Sequence, residues 1–189
     1  MDLRRKSAPE WLDAVLGDFD AFLLDHAACE RKASATAMSL VAHYPDRPEL
    51  VGAMIDLAAE ELEHFRRVWR RLAERGLTLG PDQKDPYVVR LQREYRKGSR
   101  EYFLDRLLVS GIVEARGCER FGLVAAALPA GDLRDFYREI ARSEVRHRGI
   151  FLELSRVYFD DSEIGPRLDE LLEVEARVLA ELPPRAAVH

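Results

Sequence analysis

Glu61-Leu62-Glu63-His64 in the first half of the chain and Glu144-Val145-Arg146-His147 in the second carry one pattern, a Glu and a His three residues apart. On an α-helix that spacing brings both side chains to one face, where they can hold one side of a metal ion. A further carboxylate precedes each pair inside an apolar helical pattern: Glu30 lies thirty-one positions before Glu61, and Glu114 thirty before Glu144. The chain reads helix-Glu, helix-ExxH, helix-Glu, helix-ExxH. That is the ligand inventory of a carboxylate-bridged di-iron or di-manganese four-helix bundle.

Outward from these stretches the periodicity is helical nearly throughout. A short helix is expected after Ser7 and Ala8, with Pro9 in its first turn and Trp11, Val15 and Leu16 as its apolar side. The first long helix should run from Asp18 to Tyr44. Its Glu30 face collects Leu23, His26, Ala27, Ala33, Ser34, Ala37, Met38 and Val41. Pro45 to Pro48 stops it and starts the second, whose Glu61 face holds Met54, Leu57, Ala58, His64, Phe65, Val68, Trp69 and Leu72 and which frays at Gly76. Leu77 to Gly98, broken by Gly80, Pro81 and Pro86, is a long crossover with a short helix opening at Asp85-Pro86. Ser99 should cap the third long helix. Its Glu114 face is small-residued, with Leu107, Ser110, Gly111, Gly117, Cys118 and Phe121. Asp132 should cap the fourth, whose Glu144 face holds Tyr137, Ile140, Ala141, His147, Phe151 and Leu152, with Arg148 as the charged residue that fits poorly. A last helix spans Ser162 to Leu182, and Pro183 to His189 is expected as a loose tail.

One ExxH by itself carries little information, because Glu pairs readily with Arg on a solvated face. The set carries more. Four carboxylates on core-facing stripes require compensating cations, and two divalent metals would supply them. Glu60, Glu63, Glu119 and Glu139 are rotated off the stripes and read as surface charges. His26, one turn before Glu30, is either a partner of that carboxylate or a satisfied core histidine. Carboxylate oxygens with one imidazole per ion suit iron, with manganese as the minor option, and the absence of a thiolate set argues against zinc.

The length of 189 residues suits one domain, 1–189, and 47% hydrophobic with 33% charged residues is the composition of a helical globule. No apolar run is long enough to span a bilayer and the first residues lack a signal-like apolar segment, so no membrane association and a cytoplasmic location are expected. Cys29 and Cys118 make no disulfide framework and read as reduced core thiols. The net charge of −5 leaves room for a local basic face. Two stretches are locally basic: Arg66, Arg67, Arg70, Arg71 and Arg75, then Lys84, Arg90, Arg93, Arg96, Lys97, Arg100 and Arg106. Either they meet phosphates, or they pair with neighbouring acids.

Leu23 to Leu40 (LLDHAACERKASATAMSL), Ala58 to Phe65 (AAEELEHF), Leu107 to Phe121 (LLVSGIVEARGCERF) and Phe136 to Phe151 (FYREIARSEVRHRGIF) closely resemble the MiaE-type tRNA hydroxylase family over residues 18–158. The resemblance implies an all-α, ferritin-like four-helix bundle with a long crossover and additional short N- and C-terminal helices. It implies a non-haem di-iron monooxygenase, an oxidoreductase of tRNA modification, which uses O2 to hydroxylate the isopentenyl side chain of 2-methylthio-N6-isopentenyladenosine beside the anticodon. Carried over position by position, it makes Glu30, Glu61, His64, Glu114, Glu144 and His147 the catalytic iron ligands, the same six that the spacing selects. Gly117 stands where the family's motif leads one to expect serine. The implied partners are the tRNA anticodon loop, O2 and an external reductase, since the chain has no flavin or nicotinamide fingerprint. Two alternatives use the same features: a ferritin-like ferroxidase, iron-storage or peroxidase protein, and a metal-free helical interaction module.

Overall fold

The computed structural model describes residues 2–189 and contains, among them, seven α-helices and no strand. They are α1 (Pro9–Gly17), α2 (Phe19–His43), α3 (Pro48–Glu74), α4 (Pro86–Gln92), α5 (Ser99–Ala127), α6 (Asp132–Tyr158) and α7 (Asp161–Glu181). Two compact units divide them. One comprises residues 11–83 and 185–188; the other comprises 2–10, 84–184 and 189.

In the first unit, α2 and α3 pair as an antiparallel hairpin. Asp18 caps α2 by accepting from the Ala21 amide at 3.0 Å, and Pro48 occupies the first position of α3, where its missing N–H costs nothing. The end of α3 is a Schellman turn. Gly76 takes φ +70°, which only glycine adopts freely, while the Leu77 amide reaches the Leu72 carbonyl and that of Gly76 reaches Ala73. Phe22, Leu23, Leu40, Leu50, Met54, Val68 and Leu72 are fully buried. The apolar stripes are narrower than the periodicity suggests: Leu16, Met38 and Trp69, expected inside, are exposed.

The second unit is built on α5 and α6, with α4 and α7 packed against them. Asp85 caps α4 by accepting from the Tyr87 amide at 2.8 Å. Ser99 and Asp132 are corrected from caps to first helical residues, and Gly98 and Gly131 stand in the cap positions. At Gly131 φ is +149°, a conformation closed to residues with a Cβ.

The C-terminal segment is not the loose tail the sequence suggests. Within the first unit the Trp11 indole donates to the Ala187 carbonyl at 2.9 Å, and the Val188 amide donates to Asp25 at 2.6 Å. Within the second, His189 stacks on Tyr87 with ring centroids 5.2 Å apart. These anchors come from residues far away in sequence, which local composition does not report.

No described helix is long and apolar enough to cross a membrane.

Candidate metal centre

In the first unit Glu30 projects from α2, and Glu61 and His64 from α3. All three are buried. Small residues explain the close approach of the helices: Ala27, Ala37 and Ala58 are buried, and Ser34 donates to the Ala58 carbonyl at 2.9 Å, about one turn from the carboxylates. His64 Nδ1 lies 3.4 Å from Glu61 Oε2 and 3.5 Å from Glu30 Oε2. Two ligands that each sit about 2.1 Å from one ion are separated by roughly 3.0–3.5 Å, so this spacing suits shared coordination. His26 Nε2 approaches Glu30 Oε1 at 2.5 Å, which makes it a hydrogen-bonding partner of that carboxylate.

The electrostatics agree. Burial alone would lower the His64 pKa, but hydrogen bonds and charge from Glu30 and Glu61 push it up to about 10. Burial likewise opposes the charge on Glu30, and the hydrogen bond and charge of His26, with His64 behind it, hold its carboxyl well below the usual range. Two buried carboxylates beside one imidazole give the site a negative potential, which a divalent cation would satisfy.

The second unit repeats the arrangement on α5 and α6. Glu144 and His147 are buried and Glu114 is half-buried, and the three offer ligand atoms within 4.8 Å of one another, as do Glu30, Glu61 and His64. His147 Nδ1 lies 3.6 Å from Glu144 Oε2, while its Nε2 is 3.4 Å from the Ser143 hydroxyl. The same imidazole nitrogen therefore faces the carboxylates in both units. A Cβ placed on Gly117 would come 3.6 Å from the Phe121 ring and 4.0 Å from Glu144 Oε2, so the small residue keeps space beside that carboxylate. Each unit thus gathers its Glu and its ExxH pair, and the oxygen-rich donor set with one imidazole fits a hard or borderline divalent ion.

A buried ionic cluster escaped the sequence reading. Arg116 and Glu175 are fully buried and paired, Tyr87 donates to Glu175 at 2.9 Å, and Arg116 also reaches Glu119 and the Arg5 carbonyl, each at 2.7 Å. Glu119, expected as a surface charge, accepts from the Ser7 amide and hydroxyl as well. Asp105, also fully buried, accepts from Arg96 and Arg167. The signal in the sequence was Glu175, which shares its helix face with Leu171, Leu172, Val178 and Leu179.

Many of the basic residues are engaged in ion pairs. Arg75 binds Asp20, Arg90 binds Glu181, Arg96 binds Asp105 and Arg100 binds Glu163, while Arg106 is 9% exposed. Of these, Arg96 meets a fully buried acid, whereas Arg90 and Arg100 are in exposed surface pairs. Cys29 and Cys118 are half-buried and form no disulfide.

Residues 2–189 match the family model described as tRNA-(MS[2]IO[6]A)-hydroxylase (MiaE). The chain belongs to the MiaE family. Within it, a Pseudomonas putida protein named tRNA 2-(methylsulfanyl)-N(6)-isopentenyladenosine(37) hydroxylase is 36% identical over 173 residues, covering 92% of this chain and 83% of the relative. A Salmonella typhimurium protein of the same name is 30% identical, covering 92% of this chain and 66% of the relative. Among solved structures, a Synechococcus protein with aldehyde deformylating oxygenase activity matches with a TM-score of 0.92 and 35% identity, covering 97% of this chain and 92% of its own. The MiaE member described here shares that all-α, ferritin-like architecture.

Proposed function

We propose that this chain is an O2-dependent monooxygenase that hydroxylates the isopentenyl side chain of 2-methylthio-N6-isopentenyladenosine in tRNA. In this reading residues 1–189 work as one di-iron domain in the cytoplasm, and Glu30, Glu61, His64, Glu114, Glu144 and His147 are the ligands of two iron ions. The observation that carries it is the repetition, in a MiaE family member, of a Glu, Glu and His set, buried except for the half-buried Glu114, with Nδ1 turned toward carboxylate oxygen.

Bound iron supplies the oxygen activation that no side chain can perform. The chain's own residues hold and tune it. The ExxH spacing aims each Glu and His pair from one helix face, and the hydrogen bond from His26 orients Glu30. Gly117 leaves space beside Glu144. Two electrons per turnover come from an external reductase.

The decisive experiment is nucleoside analysis of tRNA from cells with and without the chain. The hydroxylated nucleoside should be present in the first and absent from the second, with the unhydroxylated precursor accumulating. A second reading, oxygen-dependent deformylation of an aldehyde, is favoured by the 35% identity to the Synechococcus oxygenase. An unchanged tRNA profile together with turnover of an aldehyde by the iron-loaded chain would select it.

A further inference from the structure

α3 carries a second feature on a different face from its ligand-type residues. Leu62 and Trp69 stand 55% and 48% exposed, and they line an open groove of about 450 Å³ with Ala59, Glu63, Phe65 and Arg66. Helical geometry turns Leu62, Arg66 and Trp69 roughly 80–140° around the axis from Glu61. The chain's other tryptophan, Trp11, is 2% exposed. Leu62 and the half-exposed indole together form an apolar patch on which a flat ring can pack.

The surrounding charge indicates which partner. From His64 to Ala73 the helix has Arg66, Arg67, Arg70 and Arg71 and no acid. Arg66 and Arg70 are exposed, and they sit three residues before and one after Trp69. The acid lining the groove, Glu63, is held by Arg66 at 2.6 Å in a surface pair, a contact that exchanges readily for another anion. Guanidiniums flanking an exposed aromatic face suit single-stranded nucleic acid, with a base stacked on the ring and phosphates on the arginines. A second copy of the chain, docked by a two-fold axis, would set this arginine-rich stretch against itself.

We propose that the α3 groove is a docking platform for unpaired bases of the tRNA, one base stacking on Trp69 and neighbouring phosphates contacting Arg66 and Arg70. The assignment rests on the tRNA hydroxylase reading above and adds where the strand is held. It also differs from a general basic surface, because it places an aromatic contact at the centre.

The test titrates the full chain with an unmodified anticodon stem-loop RNA, reading tryptophan fluorescence and affinity at several salt concentrations. The wild type should bind with quenching. Trp69→Ala should weaken binding about tenfold, the loss of one stacked base, while Trp69→Phe retains most of the affinity. Arg66→Ala with Arg70→Ala should reduce the salt slope by about 1.4, two single-strand phosphate contacts. Metal content and helicity should be unchanged in all variants, since these side chains are exposed. Unchanged affinity in Trp69→Ala with an unchanged salt slope in the double arginine variant would overturn the platform. So would sedimentation showing that Trp69 mediates self-association of the free protein. If the wild type binds the stem-loop through Trp69 but cellular tRNA hydroxylation does not depend on the chain, the platform stands and the enzymatic reading falls.

Discussion

Arg116 donates to Glu175 Oε1 from Nε at 2.9 Å and from Nη2 at 2.7 Å, and both side chains are fully buried. The pair joins α5 to α7, and Arg116 extends it to Arg5 and Glu119. Burial, then the charge of Glu175, raises the Tyr87 pKa well above its ordinary value, so its hydroxyl remains a donor to the cluster. Removing one member leaves an uncompensated charge in the core.

Arg116→Ala should accordingly cost about 3–5 kcal/mol of folding stability. The double variant Arg116→Met with Glu175→Leu should lose less than the single one, because it removes both charges and keeps most of the volume. Urea unfolding of the three proteins measures the difference. Equal stability of wild type and Arg116→Ala would mean the pair contributes nothing.

Asp105 yields a pH prediction. Burial acts to raise its pKa, but hydrogen bonds from Arg96 and Arg167 outweigh that and lower it. A carboxylate with a depressed folded-state pKa stabilises fully above its unfolded value, near 3.9, and that stability is lost as pH falls through the folded value. The stability gap between wild type and Asp105→Asn should therefore be constant from neutral pH to about pH 5 and shrink below about pH 4. A gap that stays constant to pH 3 would contradict this. Because Arg96 serves Asp105, a charge reversal at Arg96 tests the fold before it tests RNA binding.

The ligand assignment predicts that His64→Ala and His147→Ala each reduce bound iron while far-ultraviolet circular dichroism remains helical. His26→Phe should keep both ions but weaken affinity roughly 10–100-fold, the usual effect of losing a hydrogen bond to a metal ligand. Elemental analysis before and after mild chelation reads both effects. Full retention of two tightly held irons in both alanine variants would show that the six-residue assignment is wrong.

Gly117 lies in the interior of α5, where a Cβ would make ordinary contacts with Phe121 and Glu144. Gly117→Ala should thus gain about 0.5–1 kcal/mol from reduced backbone entropy without losing iron. Gly117→Leu is expected to crowd Glu144 and to lower hydroxylation more than stability. Thermal unfolding and turnover, measured on the same preparations, separate the two. Equal turnover in the leucine variant would show that hydroxylation does not need the space beside Glu144.

What the sequence determined by itself is what short-range geometry encodes. Helical periodicity decides which residues share a face, so Glu61 and His64, three apart, fall together, as do Glu144 and His147, before any packing is known. Proline and glycine act through their own backbone limits, which is why Pro48, Asp85-Pro86 and Gly76 mark real helix ends. Tertiary structure decided what depends on residues brought from far along the chain. Periodicity placed Trp69 and Met38 on apolar stripes, but the width of a stripe actually covered depends on its neighbours, and both are exposed. Glu119 looks like a surface charge until Ser7 is brought onto it from 112 positions away, and Asp105 gains Arg167 from 62 positions away. The segment after Pro183 reads as a loose end because its anchors, Trp11, Asp25 and Tyr87, lie more than 90 positions away. A local pattern can specify a face, but only the assembled fold supplies the partner that meets it.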